Sequence, residues 1–411
     1  MAVEDKSLFR ERGDFSRGGP LQPELLVTLL LYMVADGNRR GYRHLLDSFW
    51  DEARSFGLKL PTEEPVSAPS FCTARYKITS ALLRNMLHEL ALKLDGASAS
   101  SPRWLGRRVF AVDGTKINLQ RSSDLRRKFG VPDGAHCPQA LVSILLDVCA
   151  KAPVDVAIAP FASSEREQLF EMLPSLACND VLVLDRGYPS HELLQALAKD
   201  GIDVLIRVPS SHTFAVIDKF RESNSDDCIV LIDPPEGSPQ EWTPLTLRAI
   251  RLKAPDGTES FFLTSLPKAR FTRRRLRELY HMRWEAEEFF KLMKSEYIGQ
   301  GQFRSKMPAG VEQEVHALVL FLAIARVLMM TAAKAAGTEY DLLSQKSAVL
   351  GLASYVTRLL LESDRETALR HVHALLRRIL RTRDKQRPGR SAPRVSYRPR
   401  LRWGATGRCG G

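Results

Sequence analysis

Between Arg108 and Val208 the chain alternates strand-like and helix-like segments in one order, and that order limits the fold more than any other feature. RVFAVDGTKINL (Arg108 to Leu119), ALVSILLD (Ala140 to Asp147) and Val154 to Ile158 read as strands. SEREQLFEMLPSL then reads as a helix, VLVLD ending at Asp185 as a strand, HELLQALAKDG as a helix and VLIRV as a strand. Three strands, helix, strand, helix, strand is the order of an α/β layered domain with a mixed sheet. An Asp-Gly break is expected inside the first strand.

The flanking regions have other textures. Residues 1–100 read as a separate helical domain, with PELLVTLLLYMVADG and SFCTARYKITSALLRNMLHELALKLDG on either side of a turn-rich stretch from Pro61 to Pro69. Arg39, Arg40, Arg43 and His44 give it a basic corner. Residues 210–266 read as a β-rich insertion built from FAVI, CIVLI, TLRAIRL and SFFLTSL between PPEGSP and PDG turns. A long helix from Thr272 to Tyr297, an apolar helix around His316 to Ala336 and further helices to Leu380 follow. The expected organisation is a helical domain (1–100), an α/β core (101–209 and 267–336) interrupted by the insertion (210–266), C-terminal helices (337–380) and a basic tail (381–411).

Two carboxylates stand where strands meet turns: Asp113 after FAV and before Gly114, and Asp185 after VLVL and before Arg186. Each alone is as readily an Asp that caps a turn as a functional group. A third candidate comes from YHMRWEAEEFFKLMKSEY. Tyr280, Arg283, Glu287 and Lys294 are offset by 3, 7 and 14 residues, which on a continuous helix places them within an arc of roughly 60°. A carboxylate between cations suits a site that holds a metal ion and phosphate oxygens together. Charged helical stripes of this kind are also common as solvated faces with i,i+4 pairs.

Taken together, VDGTK at Asp113, LDRGYPS at Asp185 and Tyr280-x2-Arg283-x3-Glu287-x6-Lys294 resemble the DDE transposases of the insertion sequence 4 family, over roughly residues 100 to 330. The resemblance implies a ribonuclease H-like core, a mixed sheet flanked by helices with a β-rich insertion before the last catalytic helix. It implies that Asp113, Asp185 and Glu287 hold two divalent cations, normally Mg2+, with Mn2+ able to substitute. Their chemistry would be phosphodiester hydrolysis at transposon ends and strand transfer into target DNA. Tyr280, Arg283 and Lys294 would contact phosphates, while a Tyr280 packed into the core is the alternative. Thr115, Lys116 and Arg186 adjoin the acids and are candidates to touch the bound strand, though Lys116 is equally a solvated strand residue. Trp242 is a candidate to stack on an extruded base, against simple packing in the insertion. The N-terminal helices are expected to read the element's ends. The partner is then double-stranded DNA, with a homodimer in the DNA complex and no small-molecule substrate. A non-catalytic DNA-binding derivative and a nuclease without strand transfer are the competing readings.

Composition agrees with a polyanionic partner. The net charge is +12, and twelve Lys or Arg against one Asp lie between Arg377 and Arg408, so the excess belongs to the tail. The six cysteines form no CxxC or Cys/His cluster, which argues against a zinc site or disulfide framework. The N-terminus lacks an apolar signal core, and the runs Leu25 to Val34 and Ala317 to Met330 fall short of the roughly 20 residues of a membrane span. No membrane partner is expected, and the location expected is cytoplasmic, at the nucleoid when bound to DNA.

Overall fold

The computed structural model describes residues 8–383, except 12, 17, 38–39, 97–101, 210–213, 254–256 and 295–302. The tail expected beyond Arg381 therefore lies, from residue 384 onward, outside the described residues, as does the end of the long helix expected to reach Tyr297.

Four helices come first: α1 (Pro23–Ala35), α2 (Tyr42–Ser55), α3 (Ala68–Arg75) and α4 (Ser80–Gly96). Strand β1 (Val109–Asn118) leads through α5 (Ser123–Phe129) to β2 (Gln139–Asp147) and β3 (Ala152–Pro160). Then come α6 (Glu165–Met172), β4 (Val181–Leu184), α7 (His191–Lys199) and β5 (Asp203–Val208). Helix starts follow local chemistry. The Ser164 hydroxyl accepts the Arg166 N–H, while the Glu167 side chain reaches back to the Ser164 amide; Ser190 caps α7 through Leu193 N–H.

The sheet order is β3-β2-β1-β4-β5, continued by three further strands. β1, β2 and β3 pair antiparallel, whereas β1, β4 and β5 pair parallel, with α6 and α7 in the segments that lead into β4 and β5. This is the ribonuclease H-like mixed sheet that the motifs implied.

The insertion comprises α8 (Ala215–Glu222), β6 (Asp227–Ile232), β7 (Leu245–Lys253) and β8 (Glu259–Thr264). FAVI, expected as a strand, opens α8 instead: Ile217 and Phe220, three apart, are its buried residues, a helical rather than an alternating pattern. The insertion also extends the core sheet. β8 pairs antiparallel with β5, Leu205 opposite Thr264, which gives one eight-stranded sheet ordered β3-β2-β1-β4-β5-β8-β7-β6.

After the insertion come α9 (Arg273–His281), α10 (Trp284–Leu292), α11 (Pro308–Ala336), α12 (Gln345–Ala353), α13 (Val356–Leu361) and α14 (Arg365–Leu380). One helical layer covers each sheet face. Val109, Ala111, Val142, Val181 and Val183 join a core with α1–α4 and α9–α11, while Phe110, Val112, Leu182 and Leu184 join one with α6, α7 and α8. The N-terminal helices, expected to stand apart, thus share the cluster that contains α11. Of their basic corner, Arg40 pairs with Asp36 at 2.7 Å, and Arg39 lies outside the described residues.

α11 is longer than its sequence run suggested. By length and composition it could cross a membrane, yet 72% of its most apolar window is buried inside the protein. Its polar residues Gln313 and Glu314 are buried too, facing Arg75 at the end of α3.

Candidate active site

β1 runs unbroken through Asp113 and Gly114, so the expected Asp-Gly break does not occur. Asp113 is a mid-strand residue paired with Ile144, not a strand end. What ends here is β4. Ala111 is level with Val183, and β4 stops at Leu184. The last pair of that register, Ala111 and Val183, stands two positions before each acid, Asp113 and Asp185. By the alternation of the strand, Asp113 shares the sheet face of Val109 and Ala111, the face that α10 covers.

The long helix expected from Thr272 is divided. Around Met282 and Arg283 the amides bond three residues back: Met282 to Leu279, Arg283 to Tyr280, Glu285 to Met282 and Ala286 to Arg283, at 3.0–3.2 Å. Such a tight turn advances more per residue than an α-helix, so the four-residue stripe does not lie on one straight face. Tyr280 belongs to α9, Arg283 caps α10, Glu287 lies in its first turn and Lys294 is exposed just past its end.

The turn directs Arg283 inward. Its guanidinium is buried and donates to Glu287 Oε1 at 2.7 Å, with 8% of its side chain and 21% of Glu287's exposed. Burial alone would lower the Arg283 pKa, but Glu287, Tyr280 and Asp185 outweigh it and hold the pKa above its ordinary value. Tyr280 packs edge-on against Phe262 at 4.6 Å, and burial followed by the Asp185 charge raises its pKa. The core-packing alternative for Tyr280 therefore describes its ring, while its hydroxyl lies within the field of Asp185.

Burial pushes the Asp113 carboxyl up to about 6. The Gly114 N–H opposes this, Glu165 adds to it, Arg283 opposes it and Glu287 adds to it. Glu165 was not singled out from the sequence. It opens α6, and its carboxyl passes where a Gly114 Cβ would stand, 2.5 Å from that position. Buried Tyr188 donates its hydroxyl to Glu165 Oε2 at 2.9 Å. The glycine after the first Asp and the tyrosine three residues after the second thus both serve one glutamate. Those two motif positions were the signal available in the sequence.

The remaining candidates are dispersed. Arg186 is exposed and its amide donates to Asp185 Oδ1 at 2.6 Å. Lys116 is exposed on β1, whereas Thr115, expected near a bound strand, is buried. Trp242 lies half-buried between β6 and β7, with β4, β5 and β8 separating that hairpin from β1.

Three carboxylates with no sulfur or imidazole are the oxygen donors that a hard divalent cation prefers. In kind the residues fit such an ion. The arrangement is not closed, however: among the described residues no three acidic, His or Cys side chains are grouped to hold a metal, and Glu287 is engaged by Arg283.

Residues 104–324 match the family model described as "Transposase DDE domain". The chain is 25% identical over 288 residues to "Transposase InsG for insertion sequence element IS4" of Escherichia coli (strain K12), covering 67% of this chain and 64% of that protein. The chain therefore spans less than two thirds of that relative's length. A cryo-EM structure of the piggyBac transposase synaptic complex with hairpin DNA superposes with a TM-score of 0.47 at 11% identity, covering 94% of this chain and 82% of that one. The family match takes in more than half of the chain and contains Asp113, Asp185 and Glu287, so the protein belongs to the DDE transposase family, as its motifs implied.

Proposed function

We propose that this protein is a metal-dependent DNA transposase that hydrolyses phosphodiesters at the ends of a mobile element and joins the freed 3′-hydroxyls to target DNA. The observation that supports the reading is the β1–β4 register, whose last pair, Ala111 and Val183, precedes by two residues both Asp113 and Asp185, while α10, which carries Glu287, packs against β1. Asp113, Asp185 and Glu287 would hold the cations, Mg2+ by donor chemistry, with Mn2+ as a substitute. Bound there, two such ions supply activation of the attacking oxygen and stabilisation of the leaving one.

The chain's own groups do the positioning. Arg283 and Lys294 receive phosphate oxygens and offset the repulsion between the acids and the DNA backbone. Because Arg283 is bonded to Glu287, a phosphate that attracts its guanidinium also relieves the carboxylate. Tyr280 orients the same strand through its hydroxyl, and Arg186 meets it from the Asp185 turn. Trp242 on the insertion stacks on a displaced base, and the α1–α4 region reads the element's ends, two of which are held by a dimer.

The test incubates labelled element-end DNA with Mg2+ and compares wild type with Glu287→Ala. Cleavage by wild type alone, with binding by both, is expected. Binding by both with cleavage by neither supports a non-catalytic DNA-binding protein, and cleavage by Glu287→Ala overturns the site. Joining to a second DNA separates a transposase from a nuclease.

A further inference from the structure

α9 breaks a rule that most helices obey. The N-terminus of a helix carries partial positive charge, and acids are favoured in its first turn. α9 has none there and instead begins Arg273, Arg274, Arg275. Arg277 follows, and Lys268 and Arg270 precede them on the turn from β8; all six are exposed.

The chain neutralises only part of this charge. Arg273 pairs with Asp226 at 2.6 Å, Arg274 with Glu278 at 3.1 Å, and Lys268 approaches Asp227 at 3.7 Å. Arg275 and Arg277 turn instead to backbone oxygens, of Arg270 at 3.0 Å and Lys253 at 3.2 Å. Among the described residues no carboxylate pairs with Arg270, Arg275 or Arg277. Like charges crowded on a helix end that is itself positive form a local conflict within the fold, and an external anion resolves it.

The form of the anion follows from the layout. From Arg273 to Arg277 the helix rises about 6 Å, close to two axial steps of about 3.4 Å between the phosphates of one strand. Exposed cations spaced along an element suit a polymer of phosphates better than a single ion. α9 also runs directly into the tight turn that directs Arg283 to Glu287.

Resting on the transposase reading, we propose that α9 and the β8–α9 turn track the backbone of the duplex that flanks the scissile bond. Arg275 and Arg277, which no carboxylate neutralises among the described residues, carry this contact together with Arg274, whose pair with Glu278 is open to solvent on both sides.

The experiment measures the affinity of the full chain for a duplex of arbitrary sequence over a range of salt concentrations. The variants are Arg274→Gln/Arg275→Gln/Arg277→Gln and, as a control, Arg365→Gln/Arg370→Gln at exposed positions of α14. Each lost phosphate contact reduces the slope of log affinity against log salt by about 0.9, so the triple variant should be shallower by roughly 2 to 3 and the control unchanged. The basic tail is common to all the proteins and cancels in the difference. Should the triple variant melt early, Arg277→Gln alone should shift the slope by about 1. Equal slopes, with binding intact, overturn the surface alone. Failure of wild type to bind any duplex overturns the transposase reading together with it.

Discussion

Among the described residues, the pairs Arg75–Glu314 and Arg283–Glu287 are built in opposite ways. Arg75 and Glu314 are both fully inaccessible, 3.2 Å apart, and almost completely satisfied. Arg75 also donates to Gln313 Oε1, the Gly310 carbonyl and the Tyr42 hydroxyl, while Glu314 receives the amides of Arg304 and Ser305. Arg283 and Glu287 are closer, at 2.7 Å, yet the Arg283 Nε and the Tyr280 hydroxyl beside it are buried with no hydrogen-bond partner. The shorter contact is the less complete one. A saturated pair fixes where two segments meet; an unsaturated pair keeps donor capacity beside the carboxylates, which is what a site for phosphate requires.

This contrast can be broken by mutation, beginning with the largest effect. Arg75→Met leaves Glu314 buried and unpaired and should cost about 3–5 kcal/mol, read as a lower midpoint in urea; a loss below about 1 kcal/mol would remove the distinction. Asp155 extends the comparison as another saturated acid, held by Arg84 at 2.7 and 2.8 Å and by Ser175 at 2.9 Å, with His88 2.9 Å away. Burial alone would raise its pKa, but His88 and Arg84 outweigh it and lower it to about 2. Its contribution, about 2 kcal/mol, should be present above the unfolded carboxyl pKa near 3.9 and lost as pH falls towards 2. Urea midpoints followed against pH should show that loss in wild type and not in Asp155→Asn.

The unsaturated pair should respond differently. Arg283→Gln should change stability by no more than about 1 kcal/mol, because Glu287 stays accessible to water, while DNA cleavage falls by about two orders of magnitude. A stability loss as large as that of Arg75→Met would make Arg283 a structural residue. Smallest of all, Lys294→Gln should leave the melting temperature unchanged, since its side chain is exposed, and should weaken duplex binding with a salt slope reduced by about 1.

Much of the core was legible because strand order and side-chain alternation are local properties. VFAV and VLVL each carry apolar residues on both faces, as strands covered on both sides must, and they pair in parallel as neighbours, Ala111 opposite Val183. The 3,7,14 spacing singled out Glu287 but misjudged the backbone beneath it, since periodicity assumes one rise and one rotation throughout and the turn at Met282 changes both. FAVI read as a strand because four apolar residues carry no period of their own. Glu165 was missed because its meaning depends on Gly114, 51 positions earlier in the chain. Arg75 and Glu314 are 239 positions apart, and no local pattern marks either as a partner of the other.

The pairing of β8 with β5 also has a consequence during synthesis. Until residues 259–264 leave the ribosome, β5 presents a bare hydrogen-bonding edge with Val204, Leu205 and Ile206 on it, the kind of template that recruits other chains. The sheet face beneath α11 waits longer still, because its cover begins only at Pro308. The nascent chain is therefore most vulnerable in the interval between these two events, and conditions that slow elongation there should lower the soluble yield more than the same delay after residue 336.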